Sequence, residues 1–128
     1  MQTFSKAERL CSKVLIDKLV ETGRSFHSFP FKIIWLETQE SNVTVPVQLV
    51  ISVPKRIFKK AVHRNLLKRR TREAYRKNKM IIYEYLNNKK ILLMLVYTAK
   101  TMLTYAELEK KIIEASGHLI KELNHKKN

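Results

Sequence analysis

Along the chain, stretches whose apolar residues recur every three or four positions alternate with stretches in which they recur every second position or run together. The first spacing lines one face of a helix, the second the faces of a strand. Near the start, Ser5 and Glu8 have the spacing of a capping box. Leu10, Val14, Ile16, Leu19 and Val20 then predict a first helix, ended by Gly23 as a left-handed terminal residue. The stretch "FPFKIIWLE" predicts a strand from about Phe31 to Glu37, and "ESN" a turn. The β-branched run from Val43 to Val53 reads as one interrupted strand or two short ones, because Pro46 removes a ladder donor.

After Pro54 the period becomes helical, from about Lys60 to Lys77, and "MIIYEYLNNKK" predicts a further short helix or turn. Ile91 to Tyr97, "ILLMLVY", is the longest unbroken apolar run; it is too short to cross a bilayer and suits a buried strand. Thr104 and Glu107 repeat the capping-box spacing, and Leu108, Ile112, Ala115, Leu119 and Leu123 carry a helical stripe onward. From Asn124 to Asn128 the end is expected to fray. The order is α-β-β-β-α-β-α, which predicts one α+β domain over residues 1–128, a mixed sheet packed by helices.

Composition supports a folded domain: 128 residues, 45% hydrophobic, with two Gly and three Pro. Cys11 is the only cysteine. No internal disulfide or cysteine-based metal set can form, and a reducing cytoplasm is expected. The first residues lack a continuous apolar core, so no secretory signal is expected.

Charge changes the picture most. Lys and Arg number 26 against 11 Asp and Glu, a formal +15. Such an excess disfavours a compact chain by self-repulsion, and a polyanionic partner is the natural reason to keep it. From Lys55 to Lys79 there are twelve Lys or Arg and one acid, Glu73, so this segment holds +11 of the +15.

At about 100° per residue, Asn65, Lys68, Arg69, Arg72 and Arg76 fall on one side of the predicted helix. Val62, Leu66, Leu67 and Ala74 fall on the other. A merely solvated helix gains by mixing signs one turn apart, whereas Lys68/Arg72 and Arg72/Arg76 are like-charged pairs, each unfavourable by about 0.2–0.5 kcal/mol. An anion alongside would offset that. The arginine fork suits phosphate, and Asn65 can read a base edge or a ribose hydroxyl. A membrane surface is disfavoured, since the opposite side lacks a bulky Trp/Phe/Leu belt. On these grounds RNA and DNA both remain open.

At the same residues the sequence resembles the protein component of bacterial ribonuclease P. The resemblance lies in Ser52-Val53-Pro54-Lys55-Arg56, then Lys60-Ala61-Val62-His63-Arg64-Asn65, then Lys68-Arg69 and Arg72-Glu73. "FSKAERL", Gly23 before a strand, and "ILLMLVY" before a last helix follow in the family's order. It implies an αβββαβα domain with a central four-stranded mixed sheet and a left-handed βαβ crossover through the basic helix. It also implies the role of protein subunit in a ribonucleoprotein that removes the 5′ leader from precursor tRNA. The partners would be ribonuclease P RNA and precursor tRNA, in the bacterial cytoplasm. The RNA would carry the magnesium-dependent endonucleolytic step, and the isolated chain would be inactive.

Carried over, Lys55, Arg56, Lys60, Arg64, Asn65, Lys68, Arg69 and Arg72 would contact the catalytic RNA, with Arg64 and Asn65 nearest the cleavage site. Lys59 and Arg76 join them on charge and position. Ile16 and Val20 with Ile34 and Ser52 would line a cleft for the single-stranded leader. The sequence departs from the family where Arg usually follows the Arg-Asn pair, and here Leu66 stands. Arg70 occupies a usually apolar position one turn later, from which its stem would cross the core edge and return a guanidinium to that region. Ile16 and Val20 are often aromatic in relatives, and aliphatics there weaken base stacking.

No protein-based chemistry is expected beside this. Metal-dependent nucleases converge several carboxylates, and the chain has one Asp, Asp17, with scattered Glu. His27, His63, His118 and His125 lack ligand spacing. We therefore expect no catalytic residue, bound metal, cofactor or small-molecule substrate. A structural RNA-binding protein such as a ribosomal protein is the alternative, and would spread its cations over tails and several faces. A DNA-binding module would need base-reading side chains and partner symmetry.

Overall fold

The computed structural model describes residues 4–127, with side chains through residue 125. A short 3₁₀ turn (Lys6–Glu8) precedes helix α1 (Lys13–Thr22) and strands β1 (Arg24–Ser28), β2 (Phe31–Thr38) and β3 (Val47–Ser52). Helices α2 (Ala61–Asn78) and α3 (Met80–Leu86), strand β4 (Lys90–Tyr97) and helix α4 (Tyr105–Lys127) complete the domain. The sheet order is β1-β2-β4-β3. β1/β2 and β2/β4 are antiparallel, and β3/β4 are parallel. The parallel pair is joined through α2 and α3, the connection that the resemblance assigns to the basic helix.

One of the two inner strands, β4, is the one the apolar run foretold. Ile91, Leu93 and Leu95 face the larger core with Ile33, Trp35, Leu49, Leu67, Tyr75, Ile112 and Leu119. Leu92 faces the smaller core under α1 with Leu10, Leu15, Leu19 and Ile34. Buried on both faces, β4 has no polar alternation to show. Fully burying each such aliphatic contributes about 1.5–3 kcal/mol. The α4 stripe, Leu108, Ile112, Ala115, Leu119 and Leu123, is buried throughout, and the box at its start forms: Thr104 N donates to Glu107 Oε1 at 3.0 Å and Glu107 N to Thr104 Oγ1 at 3.3 Å. Asn124 and His125 lie within α4; Asn128 lies outside the described residues.

Several expectations are corrected. The Ser5/Glu8 box forms, but it caps the 3₁₀ turn; α1 begins only at Lys13, with the Ser12 Oγ accepting from Leu15 N at 3.3 Å. The buried stripe of α1 is Leu15 and Leu19, while Val14 and Val20 are exposed. Gly23 is extended, not left-handed (φ −71°, ψ 158°). Glycine serves close approach there: a Cβ would lie 2.4 Å from the Leu19 carbonyl oxygen and 3.0 Å from Ile34 Cγ2. β1 was not foreseen, because "RSFHS" offers one apolar residue and forms an edge paired only with β2. Pro46 precedes β3, where its missing N–H costs no ladder bond, and its carbonyl accepts from Ile91 N at 2.8 Å.

Candidate nucleic-acid interface

α2 buries Leu67, Thr71, Ala74 and Tyr75. Val62 is 67% exposed and Leu66 half-buried, so the packed face is rotated from the predicted one. Thr71 enters that face because its hydroxyl donates back to the Leu67 carbonyl at 2.8 Å. The rotation leaves Asn65 and Arg69 outward, with Lys68 and Arg72 half-buried on the β3 flank.

Ahead of α2, the chain turns over the Pro54 carbonyl, which accepts from Ile57 N and Phe58 N at 3.2 Å. Phe58 is buried, and its anchorage leaves Lys55, Arg56, Lys59 and Lys60 exposed around the helix start. That start has no side-chain cap and no acid in its first turn. Orphan N–H groups and the positive end of the dipole there add to the surrounding cations, a combination that favours an anion.

The cations are not equivalent. Arg64 Nη1 donates to the carbonyls of Phe58 (2.9 Å) and Lys59 (2.8 Å), clasping the turn to the helix. Arg70 Nη1 donates to the Leu103 carbonyl at 2.9 Å. Its guanidinium ties α2 to the loop before α4 and does not replace the cation missing at Leu66. Arg76 grips Glu73, with Nη2 to Oε1 at 2.5 Å and Nε to Oε2 at 3.2 Å. That guanidinium holds the Glu73 carboxyl below its usual range, and it relieves the Arg72/Arg76 repulsion. Lys79 is buried against Glu8. Lys55, Arg56, Lys59, Lys60, Lys68, Arg69 and Arg72 form no ion pair among the described residues.

On the opposite face of the sheet, Ile16 and Ile34 meet in the core under α1. Ser52 lies on the same face one row away: it is opposite Val96, while Ile34 is opposite Met94 and Met94 opposite Val50. Val50, Met94 and Val96 are only partly buried, so α1 leaves an apolar floor beside it. Val20 is 56% exposed and turns toward solvent. Met94 and Val96 were missed because β4 is apolar on both faces and hides its period.

The described residues bring together no group of three His, Cys, Asp or Glu able to hold a metal ion. Ser28 Oγ and His118 Nδ1 are 2.8 Å apart, but Ser28 is buried and the contact serves to tie β1 to α4. Among the described residues no helix is long and apolar enough to cross a membrane.

Comparison with known proteins places this geometry. The chain is 36% identical over 88 residues to the ribonuclease P protein component of Porphyromonas gingivalis, covering 69% of this chain and 64% of the relative. It thus spans a little under two thirds of that relative's length. The solved structure of the Staphylococcus aureus RNase P protein superposes with a TM-score of 0.67 at 25% identity, covering 91% of this chain and 97% of that one. The RNase P protein from Thermotoga maritima shares the fold, with a TM-score of 0.67 at 22% identity over 84% of this chain and 94% of the other. The family model described as Ribonuclease P matches residues 4–120, and the chain belongs to that family.

Proposed function

We propose that the chain is the protein subunit of a ribonuclease P ribonucleoprotein. The turn before α2 and its outward face bind the RNA subunit, and the floor beside α1 receives the single-stranded 5′ leader of precursor tRNA. The carrying observation is the row of cations, Lys55 to Arg72, without ion pairs among the described residues, around an uncapped helix start. Among them Arg69 faces outward, as does the neutral Asn65, Lys68 and Arg72 line the flank, and Arg64 holds the turn that presents the lysines. Arg76 contributes little, being satisfied by Glu73.

The chain's part is binding and placement. Neutralising phosphates releases counterions and lets two polyanions, the RNA and its substrate, approach one another. In this reading magnesium-dependent hydrolysis of the phosphodiester belongs to the RNA subunit, as membership of the ribonuclease P protein family implies. The exposed lone thiol of Cys11 suits a bacterial cytoplasm. Reconstitution tests the reading. The purified chain is mixed with transcribed ribonuclease P RNA, and precursor-tRNA cleavage is followed at low magnesium. Stimulation is expected with the chain and none by the chain alone; equal rates with and without it would remove the proposal.

A further inference from the structure

β3 is an edge strand, and its free edge is only partly covered. The N-terminal segment runs along it: Arg9 bridges Leu49, Leu10 N donates to the Leu49 carbonyl at 2.9 Å, and Gln48 Nε2 donates to the Ala7 carbonyl at 3.0 Å. Between this segment and α2 lies a groove of about 190 Å³, lined among others by Phe4, Arg9, Cys11, Ile51, Lys68 and Arg72. None of its lining residues is acidic. The Arg9 guanidinium carbon sits 5.9 Å from the Phe4 ring centroid, and Phe4 meets Tyr75 edge-on at 6.0 Å. The cation is therefore steered along the groove by a ring that is itself packed on α2.

The segment is fixed by a buried device. Glu8 Oε1 accepts from Ser5 N (2.8 Å) and Ser5 Oγ (3.0 Å), and Glu8 Oε2 accepts from Lys79 Nζ at 2.7 Å and from the Tyr83 hydroxyl. Lys79 links α2 to α3, so the residue beside Arg9 is bound to the far end of the basic helix. Three cations from two separate segments are thus held around one groove before any ligand arrives, an arrangement that favours an anion without further ordering cost.

We propose that this groove is a phosphodiester seat outside the basic helix proper, in which a phosphate of bound RNA sits between Arg9 on one wall and Lys68 and Arg72 on the other. Glu8 and Lys79 are its positioning residues. The inference rests on the RNA-binding reading above and adds Arg9 and the β3 edge to it.

The test uses the full chain and transcribed ribonuclease P RNA, with affinity measured as a function of salt. Arg9→Ala, at an exposed position, should lower the slope of log affinity against log salt by about 0.7–0.9, one contact's worth, and Arg9→Lys should retain it. Cys11, the only thiol, should be alkylated more slowly in the complex than in the free protein. Glu8→Gln should lower the slope in protein whose circular dichroism stays native, a readout that lost stability alone would not move. An unchanged slope for Arg9→Ala overturns the proposal. If Arg72→Ala then still flattens the slope, the helix interface stands and the groove alone fails; if neither changes it, both readings fail.

Discussion

Replacing Glu8 by alanine probes how the N-terminal segment is held. Its carboxylate and the Lys79 ammonium are 2.7 Å apart, with side chains 7% and 8% exposed. Burial pushes the Glu8 carboxyl up, but hydrogen bonds from Lys79, Tyr83 and Ser5 outweigh it and hold it below its usual range. Removing the carboxylate leaves the ammonium buried without it. The Tyr83 ring, whose centroid is 5.4 Å from Nζ, is a weak substitute. Truncating one member of a buried pair costs about 3–5 kcal/mol. Tyr83 and Ser5 are partly exposed and regain water, so their lost bonds add little. With an unfolding entropy near 2.1 cal/mol/K per residue, the midpoint should fall by about 11–19 °C. The paired variant, Glu8→Leu with Lys79→Met, replaces both charges by apolar groups of similar length and should recover to within about 1–2 kcal/mol of the parent. Urea unfolding followed by far-ultraviolet circular dichroism on the parent, Glu8→Leu, Lys79→Met and the double variant gives the coupling, with Glu8→Ala measured beside them. A loss under about 1 kcal/mol for Glu8→Ala, or a double variant as unstable as the two losses added, would refute the account.

The remaining expectations concern single positions. Because Glu8 titrates lower in the folded than in the unfolded chain, its contribution is complete above the ordinary carboxylate range and is lost as pH falls through the lowered value; the acid limb of the stability curve should flatten in Glu8→Gln. Gly23→Ala should cost about 1–3 kcal/mol by thermal melting, since the new methyl meets the Leu19 carbonyl oxygen at 2.4 Å. Arg70→Ala should cost about 1 kcal/mol through its lost bond to the Leu103 carbonyl, with an unaltered salt slope for RNA binding. Arg76→Ala should likewise leave that slope unaltered because Glu73 already satisfies the guanidinium, whereas Arg69→Ala should lower it by about 0.7–0.9.

What could be read from the sequence divides along a physical line. Patterns set by local geometry came through: the α4 stripe with its Thr104/Glu107 box, the apolar run that became β4, and the helix carrying the cations. Features decided by what a distant segment supplies did not. β1 exists because β2 offers it an edge, not because "RSFHS" has a period. Gly23 is required by close approach, to the Leu19 carbonyl oxygen one turn back and to Ile34 and Trp35 of the neighbouring strand, not by a left-handed turn. The candidate site obeys the same division. Counting cations points to the candidate interface, but counting cannot say which of them are already satisfied. Glu73 takes Arg76, Glu8 reaches across 71 positions to take Lys79, and the Leu103 carbonyl takes Arg70. Each of these contacts removes a charge from the outward array; the first braces α2 along its own length, and the other two hold it against its neighbours. The same fold then returns one that the helix alone lacks, because the extended segment after the 3₁₀ turn, bridged to Leu49, lays Arg9 on the groove that Lys68 and Arg72 also line. A charge run in one helix is therefore in part a mount and in part a candidate binding surface, and only the tertiary partners of each side chain divide the two.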